Sequence, residues 1–178
     1  MKEYTATAKV LHWAMALLVF GMLASGLIME EMGFSPLKFQ IIQTHKSIGL
    51  VVLMLLVMRL SWRLTHPAPM LPEGLPQWQK MAAHGTHALL YALMLFMPVS
   101  GWLMSDAAGY HPTLFGLPVP LMLAEPNREW ARFLGDVHEW GGNLLIALLV
   151  MHIGAALMHA WRKDGLMGRM LPRGIFQK

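Results

Sequence analysis

The stretch VHEWGGNLLIALLVMHIGAALMHAW, Val137 to Trp161, decides the fold. Glu139, near its start, is its one acidic or basic residue besides histidine. At about 1.5 Å per residue, a helix of this length crosses the ~30 Å hydrocarbon core of a bilayer. An intramembrane imidazole is costly without a partner, yet this run holds both His138 and His152, 14 residues apart. That spacing is about 21 Å along a helix and close to four full turns. Both rings therefore project from one face, at two depths.

Working outward, three more apolar runs appear: Val10 to Met29, Phe39 to Leu60 and Met81 to Met104. Together they fill most of the 178 residues, of which 56% are hydrophobic and only 13% charged. Soluble domains are roughly 25% charged. The expected architecture is all-α: an integral membrane four-helix bundle forming one domain over residues 1–178. The first run is too long for a signal-peptide core and is read as a retained span. The segments 30–38 and 65–79 are too short for a second domain, and the latter holds four prolines. Ser105 to Leu134 is the longest connection and mixes prolines with Leu114, Phe115, Leu117, Val119 and Leu121. It is expected to lie on the membrane surface, either as a lid or docking platform or as an apolar connector. No internal sequence repeat and no low-complexity tract stands out.

Charge sets the orientation. With a cytoplasmic N-terminus, the inner segments carry Lys2, Lys9, Arg59, Arg63, Lys80, Arg162, Lys163, Arg169, Arg173 and Lys178. The outer ones carry Lys38, Lys46, Arg128 and Arg132. This asymmetry satisfies the positive-inside rule with both termini in the cytoplasm. It also explains the net charge of +4 and pI near 9.6 without nucleic acid as a partner. Trp13, Trp62, Trp78 and Trp161 fall at the inner interface and Trp102, Trp130 and Trp140 at the outer one.

The chain has no cysteine, which removes iron–sulfur clusters, c-type haem and thiolate metal sites. Histidine is the remaining ligand, and chain direction decides the partners. The second and fourth runs start at the outer surface, so His45 and His138 share the outer depth. His12 opens the first run from inside and meets His152 at the inner depth. The predicted pairs, His45 with His138 and His12 with His152, each present two axial imidazoles to one haem b. A macrocycle lying along a helix favours a small residue one turn further on. Those positions are Ala16, Gly49, Gly142 and Ala156. The offset from His84 reaches Ala88, which keeps His84 as a reserve ligand; His87 and His159 are followed by Tyr91 and Lys163. Bis-histidine ligation leaves no open iron position and favours outer-sphere electron transfer. A metal-ion transporter would need ligands clustered at one depth, commonly with carboxylates, and no Asp or Glu lies deep in any run.

His159 continues the stripe near the inner interface, where it either donates a proton or hydrogen bond to quinone or simply meets water. For His84 and His87, contact with a haem propionate or quinone competes with plain packing. His66 and His111 are read as solvated loop residues. The 17 methionines are spread along apolar faces as packing, and Gly21, Ser25 and Gly26 form a small-residue face for helix pairing.

Several of these residues resemble the bacterial cytochrome b561 family, in its compact four-helix di-haem form, over essentially the full chain. The matching elements are His12-Trp13, His45, Arg59 to Arg63, Ala83-His84 to His87, the His138/His152 spacing, and the tail Lys163-Asp164 to Arg169-Met170 with Pro172-Arg173. The resemblance implies haem ligation by His12, His45, His138 and His152. It further implies electron transfer between an outer donor and membrane ubiquinone in the bacterial inner membrane, one branch of the family taking electrons from superoxide. Positive potential from Lys46, Lys38, Arg128 and Arg132 would steer a small anion. Against this stand Glu30, Glu31, Asp106, Glu125, Glu129, Asp136 and Glu139 on the same side, and Lys46 has an alternative role pairing with a haem propionate or Glu139. Three functions follow: a redox enzyme passing electrons from superoxide to ubiquinone, a haem-b relay subunit or anchor serving a periplasmic redox partner or dehydrogenase, and a helical membrane protein without redox chemistry.

Overall fold

A computed structural model describes residues 3–123 and 125–171. Its four helices contain the four apolar runs and extend past each: α1 Ala6–Glu31, α2 Pro36–Thr65, α3 Gln77–Ala107 and α4 Arg128–Arg162. All are long and apolar enough to cross a membrane. The added turns mix charged and polar residues with aromatic and aliphatic ones, and side-chain caps explain where three of the helices begin. Thr5 Oγ1 accepts from the Ala8 amide, and Ser35 Oγ accepts from the Lys38 amide with Pro36 at the first helical position. Asn127 Oδ1 accepts from the amides of Glu129 and Trp130. With Glu129 complementing the N-terminal dipole, this cap starts α4 well before Val137. It thereby claims residues 128–134 from the stretch expected to be a loop.

The helices run up, down, up and down, each packed on the next in sequence. We call the end at which the described residues begin and finish the terminal end and the opposite end the cap end. In the middle, Val19 of α1, Val52 of α2, Leu90 and Leu93 of α3, and Leu145 and Leu148 of α4 form a buried apolar layer. Outward-facing residues such as Leu17, Leu144, Val150 and Met151 are exposed, as a lipid-facing surface requires. Pro98 removes one backbone hydrogen bond from α3, two residues before Ser100.

The cap-end connection contains a small hairpin, β1 Thr113–Leu114 with β2 Leu117–Pro118, turning through Phe115 and Gly116 at positive φ. It is seated on α2: Ser47 Oγ donates to the Thr113 carbonyl at 2.8 Å and accepts from the Phe115 amide at 3.1 Å. Asp106, fully buried at the end of α3, accepts from the Met122 and Leu123 amides and bonds His111 Nδ1 at 3.0 Å. His111 is the exposed loop residue expected, and its bond to Asp106 makes it an anchor for the cap as well. At the terminal end the chain after α4 returns beneath α1. There Lys9 Nζ bonds Glu3 and the Leu171 carbonyl, and Trp13 Nε1 donates to the Met170 carbonyl.

Candidate functional site: two layers of histidine

At the cap end the two predicted ligands are held identically. Ser25 Oγ on α1 lies 2.8 Å from His45 Nδ1 on α2, and Ser100 Oγ on α3 lies 2.9 Å from His138 Nδ1 on α4. Each serine also donates to the carbonyl three residues back, Met22 at 2.9 Å and Met97 at 3.0 Å. A hydroxyl has one proton, so each Oγ accepts from a protonated Nδ1. The tautomer that remains has its lone pair on Nε2, the nitrogen free to ligate a metal. The adjoining glycines leave room for the rings: a Cβ on Gly101 would sit 3.1 Å from His138 Cε1, and one on Gly26 3.9 Å from His45 Cε1.

At the terminal end three imidazoles meet at one depth. The rings of His12 and His152 have centroids 6.2 Å apart, and those of His87 and His152 5.6 Å apart. The structure therefore brings His87 to the site. His84, the reserve ligand, is exposed. Arg59 reaches the same level from α2, with Nε donating to Tyr91 Oη at 2.9 Å.

The i+4 positions behave as two sets. Gly49 and Gly142 face methionine ends, with a Cβ on Gly49 meeting Met22 Cε at 3.5 Å and one on Gly142 meeting Met97 Cε at 3.7 Å. Ala16 and Ala156 are half-buried on the terminal-end halves of α1 and α4. Lys46 does not pair with Glu139: its Nζ donates to the Tyr110 carbonyl at 2.8 Å and ties α2 to the cap. His66 stacks on Trp62. His159 Nδ1 bonds the Asp164 carboxylate just beyond α4. Desolvation pushes the Asp164 carboxyl up, but hydrogen bonds from His159 and the Leu166 amide, with the charges of His159 and Arg162, hold it below the usual carboxylate range.

Sequence reading missed Ser25 and Ser100 as partners of the ligands, and the repeat that carries them. Ala24-Ser25-Gly26-Leu27-Ile28-Met29 and Val99-Ser100-Gly101-Trp102-Leu103-Met104 share the serine, glycine and methionine in register. The same offset of 75 relates His12 to His87 and Met22 to Met97. An offset of 93 relates His45 to His138, Gly49 to Gly142, Arg59 to His152 and His66 to His159. The α1–α2 and α3–α4 hairpins thus match at these positions, a weak repeat where none was expected. Matching Ser-Gly to Ser-Gly was the available signal.

These residues fit a haem. Two imidazole nitrogens each about 2 Å from one metal place their ring centres roughly 6 Å apart, as His12 and His152 are. Among the described residues no group of three or more His, Asp or Glu is arranged for a bare ion, so paired rings suit a metal that brings its other ligands. At the cap end the Trp102 indole N–H is buried without a hydrogen-bond partner among the described residues.

Fold and site together define a multi-pass membrane protein with histidines gathered at two levels inside a four-helix bundle. The family described as prokaryotic cytochrome b561 matches residues 3–173, and the chain belongs to it. It is therefore a haem-b electron-transport protein of the bacterial inner membrane, which retires the non-redox reading. It is 36% identical over 174 residues to cytochrome b561 homolog 2 of Escherichia coli (strain K12), covering 96% of this chain and 92% of the relative. Cytochrome b561 homolog 1 of the same organism is 30% identical over 178 residues, 97% of this chain and 99% of the relative. The probable superoxide oxidase CybB of Yersinia pestis is 29% identical over 176 residues, 97% of each chain.

Proposed function

We propose that the chain holds two haems b, one between His45 and His138 at the cap end and one between His12 and His152 at the terminal end. Haems so held would allow electrons to pass from a periplasmic donor, superoxide, to ubiquinone near the cytoplasmic face. The observation that carries this reading is the pair of serine locks, which prepare His45 and His138 alike to offer Nε2. When bound, each haem would supply a one-electron couple. The residues of the chain do the rest. Val52, Leu90, Leu93, Leu145 and Leu148 keep water from the space between the two histidine layers. His159, with Nδ1 held by Asp164, presents Nε2 at the terminal end, where ubiquinone must gain a proton with each electron. The net reaction balances: two superoxide ions leave as two dioxygen molecules, and ubiquinone takes two electrons and two protons to become ubiquinol.

The test uses purified protein in detergent. Two b haems per chain and reduction of a ubiquinone analogue while superoxide is generated are expected. No reduction with both haems intact would sink the enzyme reading. The relay reading would then stand, and one feature favours it: Tyr110, Phe115, Leu117 and Leu121 on the cap are exposed, as a platform for a periplasmic redox partner would be.

A further inference from the structure

The repeat sets Arg59 in a telling place. On α2 it occupies the position that His152 holds on α4, two turns beyond the apolar layer. An imidazole at that point would complete a ring of four; the chain has a permanent cation there instead. The guanidinium is fixed on both sides. Nη1 donates to the Ala8 carbonyl at 3.4 Å, one turn from His12 on α1, and Nε bonds Tyr91 Oη, one turn from His87 on α3. Arg59 also lies over the Tyr91 ring at 5.8 Å, as does Arg63. Among the described residues neither arginine has a carboxylate partner.

The acidic residues of the four helices lie at the other end. Glu30 and Glu31 close α1, Asp106 closes α3, and Glu129, Asp136 and Glu139 open α4; α2 has none. With Lys38, Lys46, Arg128 and Arg132 set against those acids, the helices keep a small negative excess at the His45–His138 end, while at the His12–His152 end their charged residues are all cations, Arg59 among them. Charge inside a low-dielectric bundle is poorly screened, so this difference acts on any electron held there.

We propose that Arg59 sets the direction of electron transfer by stabilising the reduced state at the terminal-end site over that at the cap end. The inference rests on the two-haem reading. In the step it favours, one electron leaves the cofactor held by His45 and His138 and arrives at the one held by His12 and His152. No bond or proton changes in that step. Arg59 is a tuning residue that acts through its charge.

The experiment is a redox titration of the visible bands of the full-length holoprotein. The component that survives in His45→Ala protein and is absent from His152→Ala protein belongs to the terminal end. Arg59→Gln is expected to weaken reduction of that component at least tenfold, a fall of about 59 mV for a one-electron couple. The cap-end component should stay within about twofold of the wild type, roughly 18 mV on the same conversion. Arg59→Lys, which keeps the charge, should leave both near their original values. The proposal is overturned if Arg59→Gln moves neither component or moves both equally, or if Arg59→Lys falls as far as Arg59→Gln. Loss of the terminal-end haem in Arg59→Gln would also overturn it, since the guanidinium would then hold the group instead of tuning it. Fewer than two haems in the wild type would end the two-haem reading itself, a failure visible in the haem count before any potential is measured.

Discussion

Ser100 Oγ accepts a hydrogen bond from His138 Nδ1 at 2.9 Å while giving its own proton to the Met97 carbonyl at 3.0 Å. One hydroxyl thereby fixes Nδ1 of the ring and leaves Nε2 as the nitrogen with a free lone pair. Ser25 does the same for His45 on the other hairpin.

Ser100→Ala leaves the Nδ1–H of His138 buried without an acceptor. Removing a hydrogen-bond partner from a ligating histidine costs 10 to 100-fold in metal affinity on the order-of-magnitude scale. We expect faster loss of one haem to a haem-scavenging apoprotein, with the second retained. Equal retention by Ser100→Ala and wild type would refute the role given to this serine.

Gly141 packs against α3 so closely that a Cβ would lie 2.8 Å from Met97 Sδ and 2.9 Å from Phe96 Cε1. Gly141→Ala should destabilise the holoprotein by ~1–3 kcal/mol through overpacking. Gly21→Ala is the control, because nothing lies within 4 Å of its added carbon. Thermal unfolding followed by the haem band distinguishes the two.

Asp106→Ala removes the acceptor that gathers His111, Met122 and Leu123. The cap should open. Limited proteolysis is expected to cut between Ala107 and Asn127 roughly tenfold faster than in the wild type, with the four helices and their haem content preserved; unchanged cutting would show that Ser47 and Lys46 suffice to hold the cap.

Asp164 sits below the usual carboxylate range when folded. Because the folded value is the lower one, its contribution to stability is complete above the unfolded value. That contribution is lost as pH falls through the folded value. Asp164→Asn should abolish this acid-side dependence. If His159 delivers protons, the same variant should slow quinone reduction by roughly 10² with haem spectra unchanged. Undiminished turnover would move proton delivery elsewhere.

Much of this was legible in the chain because a bilayer imposes length and polarity directly. Four apolar runs, two histidine depths and the charge asymmetry all follow from helical rise and the cost of polar groups in lipid. The roles of particular side chains were not legible where rotation about a helix axis decides them. His84 and His87 are three residues apart at the start of α3, yet one is exposed and the other meets His152. Lys46 was weighed against Glu139 as a neighbour in charge; a folded loop supplies the Tyr110 carbonyl instead.

The amino-acid sequence alone determined that this protein is a four-helix membrane bundle with histidines at two levels, since hydrophobicity and helical periodicity are properties of each segment by itself. Only the tertiary structure decided which nitrogen each cap-end histidine offers and that Arg59 faces the terminal-end imidazoles. A hydroxyl proton or a guanidinium finds its partner through the approach of separate helices, and no single segment contains that distance.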